Sequence, residues 1–242
     1  MLLTGNCAEK INEVDNDIVQ MIVTSPPYWG LRQYDGGEPE LGQEETPEEY
    51  VTKLVAFFSL CKRVLKDDCT VWVNIGDTYF GAKGGHWEGG NSMTSDVTGH
   101  NYRIKRKAPP KHNYLKTKDL TGVPWMFAVA MQKDGWYLRQ DIIWYKPNPM
   151  PEAVSGRCAK AHEHIFLFTK KKHYLYNESE IMQPTVDGLE LKHMKDVWTI
   201  NTAQSPDSHF AVFPSKIPEL CIKAGSNNGD IILDPFMGSA TT

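Results

Sequence analysis

Ile18-Val19-Gln20-Met21-Ile22-Val23-Thr24-Ser25-Pro26-Pro27-Tyr28-Trp29-Gly30 is an apolar run that stops at a rigid corner. The run has the length and composition of a strand buried on both faces. Pro26 and Pro27 cannot extend it, because each ring fixes φ near about −65° and removes a backbone donor. A second run of the same kind, Ile231-Ile232-Leu233, stops at Asp234-Pro235-Phe236-Met237-Gly238-Ser239-Ala240-Thr241-Thr242. Short apolar strands ending in corners, with helical stretches between them, are the pattern of a doubly wound α/β sheet.

Between the two corners the pattern continues. Leu2-Leu3 reads as a short strand and 8–14 as a short helix. Thr46-Pro47-Glu48-Glu49 combines a capping Thr, a first-turn Pro and early acids, so a helix is expected to begin there and to end by Asp67. It carries Val51, Leu54, Val55, Phe58, Cys61, Val64 and Leu65 on one stripe. Strands are expected at 70–75, 137–145, 165–168 and 174–176, and helices at 123–132 and 218–224. Residues 30–45 read as a loop over the first corner, and 181–208 as irregular. Residues 80–100, with glycines at 81, 84, 85, 89, 90 and 99, read as a loop that orders on binding. The whole chain of 242 residues is expected to form one domain, with a basic, glycine-rich insertion at 81–118 and a recognition region at 146–208.

Composition excludes several classes. The charge of −4 does not advertise a nucleic-acid partner, but seven Lys and Arg fall between Arg103 and Lys118 with no acid among them. Such a patch would gain from counterion release at phosphates, and it would also serve as a solvated loop. Cysteines 7, 61, 69, 158 and 221 form no Cys-x-x-Cys pair, so neither zinc nor a redox pair is indicated. Reduced thiols and the lack of a signal pattern or an apolar stretch of membrane length predict a cytoplasmic protein away from the membrane. His162-Glu163-His164 lacks the spacing of a helical His-Glu-x-x-His site, so no metal is expected there.

The corners carry the chemistry. Rigid acceptors at Ser25 and Pro26 beside the flat Tyr28 ring suit a planar amino group on a nucleobase, although Ser-Pro and Pro-Pro also occur in ordinary turns. Gly238, Ser239 and Ala240 allow a ligand close to the backbone at a strand's carboxyl end. Taken together, Ser25-Pro26-Pro27-Tyr28 and 234–242 resemble the amino-group DNA methyltransferases, in the arrangement where the tetrapeptide precedes the cofactor motif. Residues 118–125, 134–139, 209–214 and 217–222 resemble further parts of that family. The resemblance implies a Rossmann-like methyltransferase sheet, S-adenosylmethionine as cofactor and double-stranded DNA as partner. It implies methylation of an exocyclic amine on a flipped base, and Ser25 leans the expectation to cytosine N4 over adenine N6. No cysteine follows a proline, which argues against attack at cytosine C5.

Ser25, Pro26, Pro27 and Tyr28 are the expected catalytic residues. Thr24, Phe213, Pro214, Asp234, Phe236, Gly238 and Ser239 are expected at the cofactor. Trp29, Arg103, Lys105, Arg106, Lys107, Lys146, Asn148 and Arg157 are expected on DNA.

Two features depart from the family: Ala240 stands where it has glycine, and the chain stops at Thr242, ahead of a further helix and strand. A missing C-terminal segment, or a second chain, is expected to complete the sheet beside 231–233. A restriction endonuclease is a further expected partner. Methylation of a protein glutamine amide is opposed by motif order and by Ser25. A degenerate DNA-binding subunit is a second alternative, kept open by Ala240 and the early stop.

Overall fold

The computed structural model describes residues 2–30, 40–81, 93–95, 101–103, 111–152, 154–185, 187–203, 214–238 and 242. Its strands in chain order are β1 (Val19–Thr24), β2 (Leu65–Ile75), β3 (Met93–Ser95), β4 (Asn101–Arg103), β5 (Tyr137–Tyr145), β6 (His162–Thr169), β7 (Gln183–Pro184), β8 (Leu191–Lys192), β9 (Val197–Thr199) and β10 (Ile231–Leu233). The α-helices are α1 (Cys7–Lys10), α2 (Pro47–Cys61), α3 (Val123–Lys133) and α4 (Lys216–Gly225). Six strands form one sheet in the order β10-β1-β2-β6-β5-β9. Only β6 runs against the others. The small pairs β3–β4 and β7–β8 stand apart from that sheet.

Helices cover both faces, so the doubly wound expectation holds. Ile22, Val71, Val73, Ile75, Phe166 and Phe168 pack with Leu54, Phe58, Phe127 and Met131 of α2 and α3. Met21, Val23, Trp72, Ile165 and Leu167 pack with Ile217, Leu220 and Cys221 of α4. Alternation along a strand sends successive side chains to opposite faces. Val19 and Met21 nevertheless lie in different clusters, because the register shifts between them. The intervening Gln20 is 2% exposed, and its amide donates to Asp68 Oδ1 at 3.2 Å.

Helix α2 starts as expected. Thr46 Oγ1 accepts from the Glu49 amide, the Glu49 carboxylate accepts from the Thr46 amide, and Pro47 opens the first turn. It stops before Val64 and Leu65, the last residues of the expected stripe. The helix ends at Cys61, and Leu65 pairs with Val19 at the start of β2. Val64 and Leu65 continue the helical period, but the sheet needs them more. Arg63 secures the turn by donating to the Ile11 and Val14 carbonyls.

Other boundaries shift for similar reasons. Residues 2–3 and 174–176 are not strands. Residues 181–208 are not wholly irregular, since β9 joins the main sheet beside β5. Helix α3 has no side-chain cap of its own on Gly122; the carboxylate of Asp77, just past β2, accepts from the Gly122 and Val123 amides and from Thr121 Oγ1. Strand β10 is the outermost described strand at its edge of the sheet, and Ile231 is 48% exposed there.

Candidate active site

The parallel strands β10, β1, β2 and β5 end on one edge of the sheet, and β6 begins there. In open α/β sheets that edge is where ligands bind. Both sequence corners lie on it. Thr24 Oγ1 donates to Asp234 Oδ1 at 2.6 Å, joining positions 210 residues apart. The corners therefore share one neighbourhood.

Asp234 is fully engaged. The Phe236 amide donates to Oδ1 at 3.1 Å, and Thr242 Oγ1 donates to Oδ2 at 2.6 Å. Burial still raises its carboxyl above the ordinary range, against the lowering effect of these three donors. The Phe236 ring packs against Phe57 with centroids 5.2 Å apart. Gly238 has φ +49°, and a Cβ there would meet nothing within 4 Å. A polar carboxylate, a partly covered aromatic ring and an open glycine turn fit an adenosyl and amino-acid ligand. Pro214 is buried and its carbonyl accepts from Ile217 at the start of α4. Phe213 and Ser239 lie outside the described residues.

The first corner is held from several sides. Tyr50 Oη, on α2, donates to the Pro27 carbonyl at 2.8 Å. The Gly30 amide donates to the Gly42 carbonyl at 2.8 Å. Gly42 has φ +95°, and a Cβ there would lie 3.0 Å from the Tyr28 carbonyl oxygen. The Pro26 carbonyl accepts from no described residue.

Tyr28 is oriented by groups outside both motifs. Its hydroxyl donates to Glu163 Oε2 at 2.6 Å and lies 3.2 Å from Asn74 Oδ1. Ser25 Oγ donates to the same hydroxyl at 3.4 Å, a long contact. Gly76 lies against the ring, since a Cβ there would be 2.7 Å from Tyr28 Cε2. Asn74 donates to Glu163 and to the His164 carbonyl, and Lys146 forms an ion pair with Glu163. Burial pushes the Tyr28 phenol well up, and the Glu163 charge pushes it further. Burial would also raise Glu163, but Lys146 and the donors Tyr28 and Asn74 hold its carboxyl below the usual range. At neutral pH a neutral phenol therefore donates to a carboxylate, a charge-assisted bond.

Of the residues expected on DNA, those described make the following contacts within the protein. Trp29 is 3% exposed, stacks on Phe80 and donates to the Glu44 carbonyl at 3.0 Å. It is a core residue, and the expectation of a DNA contact is corrected: its ring is fully covered by protein. Lys146 serves Glu163 and lies over the Trp144 ring. Asn148 Oδ1 accepts from the Thr202 amide at 2.9 Å, tying down the chain beyond β9. Arg157 pairs with Glu152 and sits over Tyr79. Lys105, Arg106 and Lys107 lie outside the described residues, and of Arg103 only the backbone pairing in β4 is described.

Sequence reasoning missed Glu163 and Asn74 as parts of the site. For Asn74 a signal was present, since it is a polar residue in the apolar run 71–75, where burial needs a partner; Glu163, set between two histidines, carried no such signal.

Comparison with known proteins agrees with this geometry. Residues 19–242 match the N6/N4 methyltransferase family of DNA methylases. The type II methyltransferase M.SmaI of Serratia marcescens is 45% identical over 242 residues, covering all of this chain and 80% of the relative. Among solved structures, the cytosine-N4-specific PvuII DNA methyltransferase superposes with a TM-score of 0.69 at 19% identity, over 98% of this chain and 74% of that one. A DNA modification methylase of Thermus thermophilus, complexed with S-adenosyl-L-methionine, gives a TM-score of 0.61 at 19% identity, over 99% and 79%. Two motif-bearing corners on one sheet edge, in a fold and sequence shared with these proteins, place the chain in the family of S-adenosylmethionine-dependent DNA methylases that modify the N4 or N6 amino group of a base.

Proposed function

We propose that this protein methylates N4 of cytosine in double-stranded DNA, at a site presented by a flipped base. The observation that carries this reading is the Thr24–Asp234 hydrogen bond, which puts the cofactor corner beside the Ser-Pro-Pro-Tyr corner. When bound, S-adenosylmethionine supplies a sulfonium methyl as electrophile. Asp234, Phe236, Gly238 and Ser239, with Thr24, Phe213 and Pro214 nearby, would hold it. The base would enter over the Tyr28 ring, whose stacking is worth roughly 1–3 kcal/mol and offsets much of the cost of flipping.

An exocyclic amine is a weak nucleophile because its lone pair is delocalised into the ring. The Ser25 hydroxyl oxygen and the Pro26 carbonyl would accept from its hydrogens and draw it toward a pyramidal, reactive geometry. With the sulfonium methyl supplied by the bound cofactor, these acceptors would orient the amine toward it, and the proton that the amine loses would leave to solvent. Alignment supplies most of the remaining acceleration. Pro27, its carbonyl held by Tyr50, keeps the corner rigid.

Ser25, rather than Asp or Asn, supports cytosine over adenine, and the PvuII enzyme of the same fold is named cytosine-N4-specific. The segments 81–118 and 146–208 would read the target, with Arg103, Lys105, Arg106 and Lys107 on phosphates. Relatives named as type II methyltransferases support a role protecting DNA against a partner endonuclease. Mass analysis of nucleosides from DNA treated with protein and S-adenosylmethionine tests the reading. N4-methylcytosine is expected; N6-methyladenine would overturn the choice of base, and unmodified DNA the activity itself.

A further inference from the structure

We propose that Glu163 is a positioning residue for methyl transfer, setting the Tyr28 ring and, through it, directing the Ser25 hydroxyl so that its oxygen is left to accept. This rests on the role given above to Ser25 and Tyr28. Glu163 belongs to neither motif; it lies near the start of β6, against the ends of β2 and β5.

The geometry forms a directed chain. Tyr28 has one hydroxyl hydrogen and two acceptors within reach, Glu163 Oε2 at 2.6 Å and Asn74 Oδ1 at 3.2 Å. The shorter partner is also the charged one, so the hydrogen goes to Glu163. The Tyr28 oxygen is then an acceptor, and Ser25 Oγ is placed to donate to it. A serine hydroxyl has one hydrogen and two lone pairs. With its hydrogen turned toward Tyr28 across that 3.4 Å contact, its lone pairs would be left for whatever enters the corner. The same contact with Glu163, together with Gly76 under the ring, leaves Tyr28 little freedom to rotate.

The chain orients rather than conducts protons. Lys146 pairs with the Glu163 carboxylate, and Asn74 donates to it as well, so a proton arriving there would have to displace both stabilising contacts. Glu163 accordingly acts through Tyr28 and touches no reacting atom.

A double-mutant cycle of Tyr28→Phe and Glu163→Gln, with kcat and KM measured for DNA and for S-adenosylmethionine, tests this. Phenylalanine keeps the stacking ring and deletes only the hydroxyl. Each single variant is expected to lose roughly ten- to a hundredfold in kcat with little change in either KM. The double variant is expected to be no worse than Tyr28→Phe alone, and Glu163→Gln should keep the wild-type shape of the pH–kcat profile. Independent, additive losses, or full kcat in Tyr28→Phe, would overturn the inference. Should Glu163→Gln fold poorly beside the unpaired Lys146, the companion Glu163→Gln/Lys146→Met removes the charge imbalance and is expected to keep the kcat defect. Tyr28→Ala separates the two levels. Near-normal methylation there would remove the site reading as a whole. Loss in Tyr28→Ala with full activity in Tyr28→Phe and Glu163→Gln would remove only the role of Glu163.

Discussion

Two carboxylates at this sheet edge respond to burial in opposite ways. Asp234 has three hydrogen-bond donors, yet its carboxyl is raised. A group raised on folding contributes stability below its unfolded pKa and loses that contribution as pH rises through the folded value. At pH 7 the ionised Asp234 is thus a cost of the fold, and a bound ligand's ammonium group would relieve it. Asp234→Asn is expected to leave the Tm at pH 7 unchanged or raised, with the gap closing as pH falls, while calorimetry shows weaker binding of S-adenosylmethionine. Glu163 has the opposite sign. It is lowered, so its stabilising share is present above its unfolded pKa and lost as pH falls through the folded one. That sign depends on Lys146. Lys146→Met leaves a buried charge unpaired, expected to cost about 3–5 kcal/mol near neutral pH. Burial then dominates and raises Glu163, so denaturant midpoints of the variant are expected to rise on acidification, where those attributable to this pair in the wild type fall.

At the scale of elements, the end of β2 organises the site. Asn74 reaches Tyr28 and Glu163, Gly76 makes room for the Tyr28 ring, and Asp77 caps α3. These roles need the strand to end where it does. Gly76→Ala would place a methyl 2.7 Å from a Tyr28 ring carbon, so ring or strand must shift. A displacement near 1 Å can cost about a hundredfold in rate. Turnover is expected to drop by about that factor while far-ultraviolet circular dichroism and the denaturation midpoint change little; unchanged turnover would show that the ring is free to reposition. The helix–strand boundary after α2 teaches a related lesson. Cys61, Val64 and Leu65 continue a helical stripe, yet pairing of Leu65 with Val19 takes the last of them into the sheet. Local period proposes an element, and long-range pairing sets its end.

For the whole molecule, a charge of −4 must coexist with a polyanionic substrate. Binding is then expected to depend on local positive segments rather than on the overall field. Replacing Lys105, Arg106 and Lys107 together by Ala is expected to flatten the slope of log K for DNA against log salt by about 0.9 for each phosphate no longer neutralised, roughly two to three in all. Fluorescence anisotropy over a salt series measures this; an unchanged slope would remove the segment from the interface. Among the described residues no helix is long and apolar enough to cross a membrane, and no cluster of potential metal ligands occurs. The sequence by itself determined the strand-and-corner pattern, the α/β class and both motifs, because these rest on contiguous residues whose proline, glycine and apolar spacing act locally. Only the tertiary structure decided that Trp29 is core, that β9 enters the main sheet, and that Lys146 pairs with Glu163. It also decided that Glu163 and Asn74 meet Tyr28. Strand order and register bring β2, β5 and β6 together at the first corner, and the partners of a buried polar side chain follow from that juxtaposition, which no local spacing encodes.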